Sequence, residues 1–396
     1  MWDAIVVGGR CAGSATGLTL SRAGKRVLIV EKATFPADTL STLFLQPAAI
    51  ARLSEWGLLD SLRATGVPPM RDLAMMIDDV TIAGHAWAPT PITEYYSPRR
   101  TVLDALLLDA AAAAGAEVRQ GFVFDDVVRD GDRIVGIRGH DQGGAEVTER
   151  ASIVIGADGQ RSAVARAVGA EMVDERPPLA CWYYTFYEGV PAPRGEMVFR
   201  ADRSVSLWPT NGGAAILVAG WPRAMFAEVK ANLDASIAAI LDIAPEFADR
   251  VRAGRRVEKF YGTGERATFI RRSHGPGWAL VGDAGTTKDP CTAQGIADAL
   301  TYGAKLGAAV AAADGPAALD AATAGYQHER DTATAEIYDF TYKTSALKPV
   351  SPKAKLLLQA VARSPQATSQ FLGVHAGTVK PSAFFAPDNL AKLVSA

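Results

Sequence analysis

The chain has 396 residues, enough for two or three packed domains. Hydrophobic residues make up 48% and charged residues 21%, and a net charge of −2 gives no electrostatic basis for binding nucleic acid or an anionic membrane. The 3 cysteines form no CxxC, the 5 histidines have no metal-ligand spacing, and neither a basic leader nor an apolar run of about 18 residues is visible, so a cytoplasmic protein with no metal and no membrane span is expected.

From the start of the chain, "DAIVVGG" is a short β-branched run ending in glycine and reads as a buried parallel strand. Residues 12–22 read as a helix and "KRVLIVEK" as a second strand, which completes one βαβ unit. Residues 47–61 look helical, and residues 72–96 look irregular and strand-like. "RRTVLDALLLDAAAAAG" predicts a helix, "AEVRQG" a strand, residues 125–149 a meander, and "RASIVIGADG" another buried strand. At Val173 the texture becomes aromatic and β-branched. "CWYYTFYEG" and "SVSLWPTNGGAAILVAGW" predict strands of a second sheet, and "AEVKANLDASIAAILDIA" predicts one helix. "GWALVGDAG" returns to a buried strand, a long helix follows over residues 293–312, and residues 317–396 read as mostly helical.

Three glycine motifs punctuate this order. In "VVGGRCAGSATG", Gly8 permits a sharp turn, Gly13 permits close helix–strand packing, and the helix N-terminus would face a pyrophosphate. Glu31 ends the next strand, where an acid can bind ribose hydroxyls. A purely structural βα turn is the alternative, because Arg10 stands where the fingerprint has its middle glycine. In "VIGADGQRSAVAR", Asp158-Gly159 follows a strand and Ser162 lies near a helix start. In "GDAGTTKDPCTAQG", Asp283 lies at a strand's carboxyl end, and Pro290 precedes a helix beginning near Thr292 or Ala293.

Together and in this order, these motifs resemble the flavoprotein monooxygenases of the para-hydroxybenzoate hydroxylase fold, with the related geranylgeranyl reductase and flavin halogenase branches. The resemblance covers roughly residues 1–345. It implies an α/β fold: an FAD-binding Rossmann-like domain, an inserted mixed β-sheet substrate domain and a helical C-terminal segment. The expected division is 1–68, 99–172 and 268–345 for FAD, 69–98 and 173–267 for substrate, and 346–396 for the C-terminal helices. It implies that Gly8, Gly13 and Glu31 hold the ADP half, with Lys32 and Asp158 as further cofactor contacts. Arg100, in "RRTVLDALL", would lie beside the pyrophosphate or ribityl chain, and Asp283 would bond a ribityl hydroxyl. Pro290 would pack near the flavin, with the N–H groups of Ala293, Gln294 and Gly295 at its pyrimidine edge.

This sequence departs from the pattern at Arg10, where relatives usually have glycine, and at Thr286, where they often have histidine. Arg10 is expected to reach phosphate or flavin; an arginine pointing into solvent is the alternative. Cys291 would sit near the flavin as a packed thiol. Trp208 and Pro209 are candidate pocket residues. For Trp182, Tyr183, Tyr184, Phe186 and Tyr187, and for Met70, Met75 and Met76, core packing is favoured over ligand contact.

The resemblance implies FAD as cofactor, NADPH or NADH as co-substrate, and O2 as oxidant. A flavin hydroperoxide would transfer oxygen to a small organic substrate, aromatic or polycyclic. No Ser–His–Asp group or other catalytic side chain is identified, and the oligomeric state is not legible. A geranylgeranyl-type reductase is the first rival, although "SLWPTNGG" only half matches that branch's Tyr-x-Trp and Phe-Pro pattern. A halogenase is the second, although no tryptophan lies in a Trp-x-Trp. A non-enzymatic FAD-binding protein is the third.

Overall fold

Trp2–Val7, Val27–Glu31, Glu117–Gln120, Glu146–Gly156 and Trp278–Leu280 lie side by side and parallel in the computed structural model, which describes residues 1–90, 94–200 and 202–395. Their order runs from Trp278–Leu280 through Glu146–Gly156, Trp2–Val7 and Val27–Glu31 to Glu117–Gln120. Helices cover one face of the sheet, and the strands Val123–Asp130 and Arg133–His140 pack on the other, so its central strands are buried on both faces, which is why their inner residues are apolar. Register decides where the motifs meet. Val7 is opposite both Val30 and Gly156, and Gly156 is opposite Leu280. The three motif-bearing strands therefore end level, at the edge where ligands of open α/β sheets bind.

A second sheet runs from Arg255–Arg256 through Ala180–Glu188, Ala214–Pro222, Arg203–Pro209 and Gly195–Arg200 to Leu73–Ile77 and Val80–Gly84. It is antiparallel except where Gly195–Arg200 meets Leu73–Ile77. Side chains alternate across it with period two. Trp182, Tyr184, Phe186 and Trp208 share one face with Leu358, Val361, Phe371 and Leu372 of the C-terminal helices. Cys181, Tyr183, Val205 and Leu207 pack on the other face against Ile237, Ile240 and Phe247. Residues 91–93 and 201, within the segments expected to build the substrate sheet, lie outside the described residues.

Several local expectations change. The helix expected over residues 47–61 splits into Pro47–Glu55 and Leu59–Ala64 around Gly57, whose φ is +72°. The helix expected as one piece after Trp221 divides at Asn232, whose φ of −131° and ψ of 47° are not helical. Met172–Arg176 does not join the aromatic sheet; it pairs with Thr268–Arg271 in a separate three-stranded sheet. The long helix begins at Gly295 rather than near Thr292 or Ala293. Pro290–Thr292 forms a 3₁₀ turn, and Ala293 is left-handed at φ +51°. The C-terminal region is helical, with a 30-residue helix Gly315–Thr344 followed by Pro352–Arg363 and Pro365–Ala376.

Candidate functional site

Glycine is required twice in the first loop. Gly8 has φ +108°, and a Cβ there would lie 2.4 Å from the Ala157 carbonyl oxygen. A Cβ on Gly13 would lie 1.7 Å from the Gly8 carbonyl oxygen, so any side chain would push the helix Cys11–Arg22 off its strand. Position 10 makes no such demand. Arg10 is at φ −87° and ψ −165°, extended backbone open to any residue, and it precedes a helix with no side-chain cap.

The Arg10 side chain crosses the mouth of the loop. Nη1 donates to Asp104 Oδ2 at 2.6 Å and to the Ala37 carbonyl at 3.1 Å, and Nη2 donates to the Asp38 carbonyl at 3.1 Å. The guanidinium lies 5.3 Å from the Phe35 ring centroid. Asp104 is 1% exposed and serves three neighbours. Arg100 grips it through Nε at 3.0 Å and Nη2 at 2.7 and 2.9 Å, and Cys11 Sγ donates to it at 3.2 Å. Burial pushes the Cys11 thiol far above its usual range. Two arginines on one carboxylate leave a net positive charge beside an uncapped helix N-terminus, which suits an anionic ligand.

Glu31 accepts the Gly9 N–H at 2.8 Å and the Ala33 N–H at 2.9 Å, which fixes the glycine loop to the end of the second strand. Its neighbour Lys32 is exposed. Asp158 accepts from Ser162 Oγ at 2.5 Å and from the Ala163 and Val164 N–H groups at 2.6 and 3.1 Å. Both of its oxygens are thus engaged in starting the helix Ala163–Ala167.

Asp283 pairs with Arg266 at 2.6 Å. This pair, Lys288 and Arg330 line a polar cavity at the N-terminus of Gly295–Ala312, where Lys288 is bridged to Asp298. Gly295 faces open space: a Cβ there would meet nothing within 4 Å. The Ala293 N–H, expected as a free donor, is already bonded to the Pro290 carbonyl at 2.9 Å. The 3₁₀ turn Pro290–Thr292 closes that bond, so the donors available at this helix start begin at Gln294 and Gly295. The Gln294 side chain is engaged elsewhere, with Nε2 donating to the His375 carbonyl at 2.6 Å.

On the other side of Pro290–Ala293, a second cavity opens against the aromatic sheet. Phe44, Met75, Trp182, Trp208, Leu372 and His375 form much of its wall. Trp208 Nε1 donates to the Thr42 carbonyl at 3.2 Å, and its ring meets Phe44 edge-on at 5.4 Å. Trp182 Nε1 donates to Asp289 Oδ1 at 3.1 Å, and Asp289 Oδ1 also accepts the Cys291 N–H at 2.9 Å. Burial raises the Asp289 carboxyl above its usual range. Cys291 Sγ turns to the Thr341 carbonyl at 3.5 Å. Among the described residues, no Asp, Glu, Lys or Arg lines this cavity. Trp208, Pro290, Cys291 and Ala293 reach the wall, and so do Trp182 and Met75, for which core packing was expected. Pro209, opposite Ala215 at the end of its strand, is not among the wall residues.

Sequence reasoning passed over Asp104, Arg266, Gln46 and His375. For Asp104 a signal existed: it is four residues after Arg100 on one helix face. Arg266 and His375 belong to no motif.

A parallel sheet with level glycine turns, two arginines at the first turn and an open helix start at the third defines a dinucleotide-binding α/β protein. Residues 1–341 match the family described as FAD binding domain, and the chain belongs to that family. A curated relative named probable electron transfer flavoprotein-quinone oxidoreductase YdiS, of Escherichia coli, is 30% identical over 42% of this chain and 39% of its own length. The chain thus spans less than half of that relative. The 1H-pyrrole-2-carbonyl-[peptidyl-carrier protein] brominase of Pseudoalteromonas luteoviolacea is 22% identical over 78% of this chain and 77% of its own. Among solved structures, the flavin-dependent brominase Bmp2 superposes with a TM-score of 0.81 at 18% identity, covering 100% of this chain and 97% of that one. PqsL of Pseudomonas aeruginosa, described as a probable FAD-dependent monooxygenase, gives 0.72 at 23% identity, covering 94% and 99%. At these identities the structural likeness shows the fold. The family match adds that this fold carries an FAD-binding domain. No helix among the described residues is long and apolar enough to cross a membrane.

Proposed function

We propose that this protein is an FAD-dependent monooxygenase that inserts one oxygen atom of O2 into an aromatic organic substrate, with NADPH or NADH as reductant. The observation that carries this reading is the apolar cavity against Pro290–Ala293, walled by tryptophan, phenylalanine and methionine and free of acidic and basic side chains among the described residues apart from one histidine.

The residues present fit FAD. Two helix N-termini, at Cys11 and Gly295, carry no side-chain cap, and the space in front of Gly295 is open. The Gly8–Gly13 turn, Glu31, Arg10 and Arg100 would hold the ADP half and pyrophosphate, and Asp283 with Gly295 would hold the ribityl chain and ring. Lys32, exposed, and Asp158, engaged as a helix cap, are left as outer contacts in this reading. When bound, FAD supplies electron transfer from the nicotinamide and the activation of O2. The chain's own part is to bind, orient and keep dry. Trp208 and Phe44 offer ring faces and edges to a flat substrate, and the apolar wall excludes water that would quench a reactive oxidant.

In the proposed division of labour, segments 1–68, 99–172 and 268–345 carry the cofactor. Segments 69–98 and 173–267 carry the substrate wall, and 346–396 closes it. The test is NADPH and NADH oxidation by the FAD-loaded protein across a panel of phenolic and polycyclic compounds, with and without O2. Substrate-stimulated oxidation that needs O2 and yields an oxygenated product supports the reading. Equal turnover without O2 would indicate a reductase, and a halide-dependent product a halogenase; either outcome overturns it.

A further inference from the structure

Among the described residues, the apolar cavity contains one side chain able to change charge near neutral pH, and it comes from outside the stretch matched by the family. His375 lies in the last turn of Pro365–Ala376, past the end of that match at residue 341. Its position is over-determined. Gln294 Nε2 donates to its carbonyl at 2.6 Å, which ties the C-terminal helix to the start of Gly295–Ala312. Its ring stands edge-on to Phe340 and Phe371, each with centroids 5.2 Å away.

Among the described residues, neither ring nitrogen of His375 has a hydrogen-bond partner. A half-buried imidazole without a partner is a group with unused hydrogen-bonding capacity. Burial alone pushes its pKa down to about 4, and no neighbouring charge offsets that. The ring is therefore neutral at pH 7, with one nitrogen free to accept. The other ionisable wall residue, Cys291, is directed at the Thr341 carbonyl and held protonated by burial.

A second wall residue carries the same signature. Gln46 is 6% exposed, and its Nε2 donates to the Thr292 carbonyl at 2.9 Å. Its Oε1 has no partner among the described residues. An amide flip does not help, because Thr292 offers only an acceptor. Two unmatched acceptors thus border an aromatic-walled cavity, beside the one N–H that a neutral imidazole keeps, and a ligand that satisfies the acceptors brings donors.

We propose that His375 is the specificity-determining hydrogen-bond acceptor of this cavity, which takes a flat aromatic ligand bearing an O–H or N–H, with Gln46 Oε1 accepting from a second donor on the same ligand. This rests on the monooxygenase reading for its purpose, though its binding test does not. The neutral imidazole accepts the ligand's O–H or N–H without taking its proton, so the ligand is held in its protonated form.

The probes are 4-nitrophenol and 4-nitroanisole, flat rings that differ only in O–H against O–CH3. Equilibrium dialysis against the FAD-loaded protein reads binding directly. The wild type is expected to bind the phenol about tenfold more tightly than the ether, the value of one good hydrogen bond. His375→Phe should erase that preference and leave ether binding within about twofold, while His375→Gln, which keeps an acceptor, should restore part of it. FAD content and far-UV circular dichroism confirm that each variant is folded. A distorted pocket would weaken both probes alike and leave their ratio unchanged. A ratio unchanged in His375→Phe, no preference in the wild type, or failure of both probes to bind each overturn the assignment. Loss of O2-dependent turnover with the binding preference intact would overturn the monooxygenase reading alone.

Discussion

Arg10 Nη1 lies 2.6 Å from Oδ2 of Asp104, a carboxylate that Arg100 already grips at both oxygens. The residue that breaks the glycine fingerprint is therefore neither loose nor turned to solvent. It shares one buried negative charge with a second arginine, and its other two bonds hold the Ala37 and Asp38 carbonyls. The glycine loop, the helix Arg100–Ala113 and the segment after Glu31 are joined at this point.

Asp104→Ala should destabilise the protein strongly. Arg100 is 8% exposed and would lose its carboxylate. Stranding one member of a buried pair costs about 3–5 kcal/mol. Denaturant unfolding of the cofactor-free protein measures this; a midpoint equal to wild type would show that the pair is dispensable.

Arg10→Gly should leave the fold intact and weaken FAD binding about tenfold, the effect of losing one charge-assisted contact. Flavin fluorescence titration gives the affinity. An unchanged dissociation constant would mean that Arg10 serves only to tie its loop.

Two glycine-to-alanine changes should part company. Gly13→Ala places a Cβ against the Gly8 backbone and should yield no folded, FAD-loaded protein. Gly295→Ala enters open space in a helix and should keep or raise stability while lowering FAD affinity. Thermal unfolding with and without FAD separates the two effects.

Asp158→Ala should cost about 1 kcal/mol of stability, as expected for a helix cap, with FAD affinity unchanged. A large loss of FAD binding at unaltered stability would restore the cofactor role that its motif suggests.

Acid titration provides a separate handle on His375. Its folded pKa, about 4, lies below the ordinary value of 6.5, so the unfolded chain binds its proton first. Stability from this site is complete above about pH 6.5 and declines as pH falls toward 4. Unfolding midpoints across that window should fall less steeply in His375→Phe than in wild type. Parallel slopes would place the imidazole in contact with solvent.

The strands that position the site are legible because burial on both faces demands uninterrupted apolar runs, and the turns because Gly8 and Gly13 meet backbone that only glycine fits. Asp104 was legible in principle by its spacing from Arg100, yet "LDALLLDAAAA" reads equally as a core helix. Ala293 misled, because left-handed backbone is rare for alanine and leaves no mark in the sequence. His375 lay beyond sequence reasoning altogether. Its tie to Gln294 spans 81 positions and depends on where the C-terminal helices dock, which no local pattern records.

The most direct test of the monooxygenase reading is turnover of a phenolic substrate by the FAD-loaded protein under isotopically labelled O2, read by mass spectrometry of the product. One labelled oxygen atom in the product is the predicted result. A product without the label, whether reduced, dehydrogenated or halogenated, would contradict it.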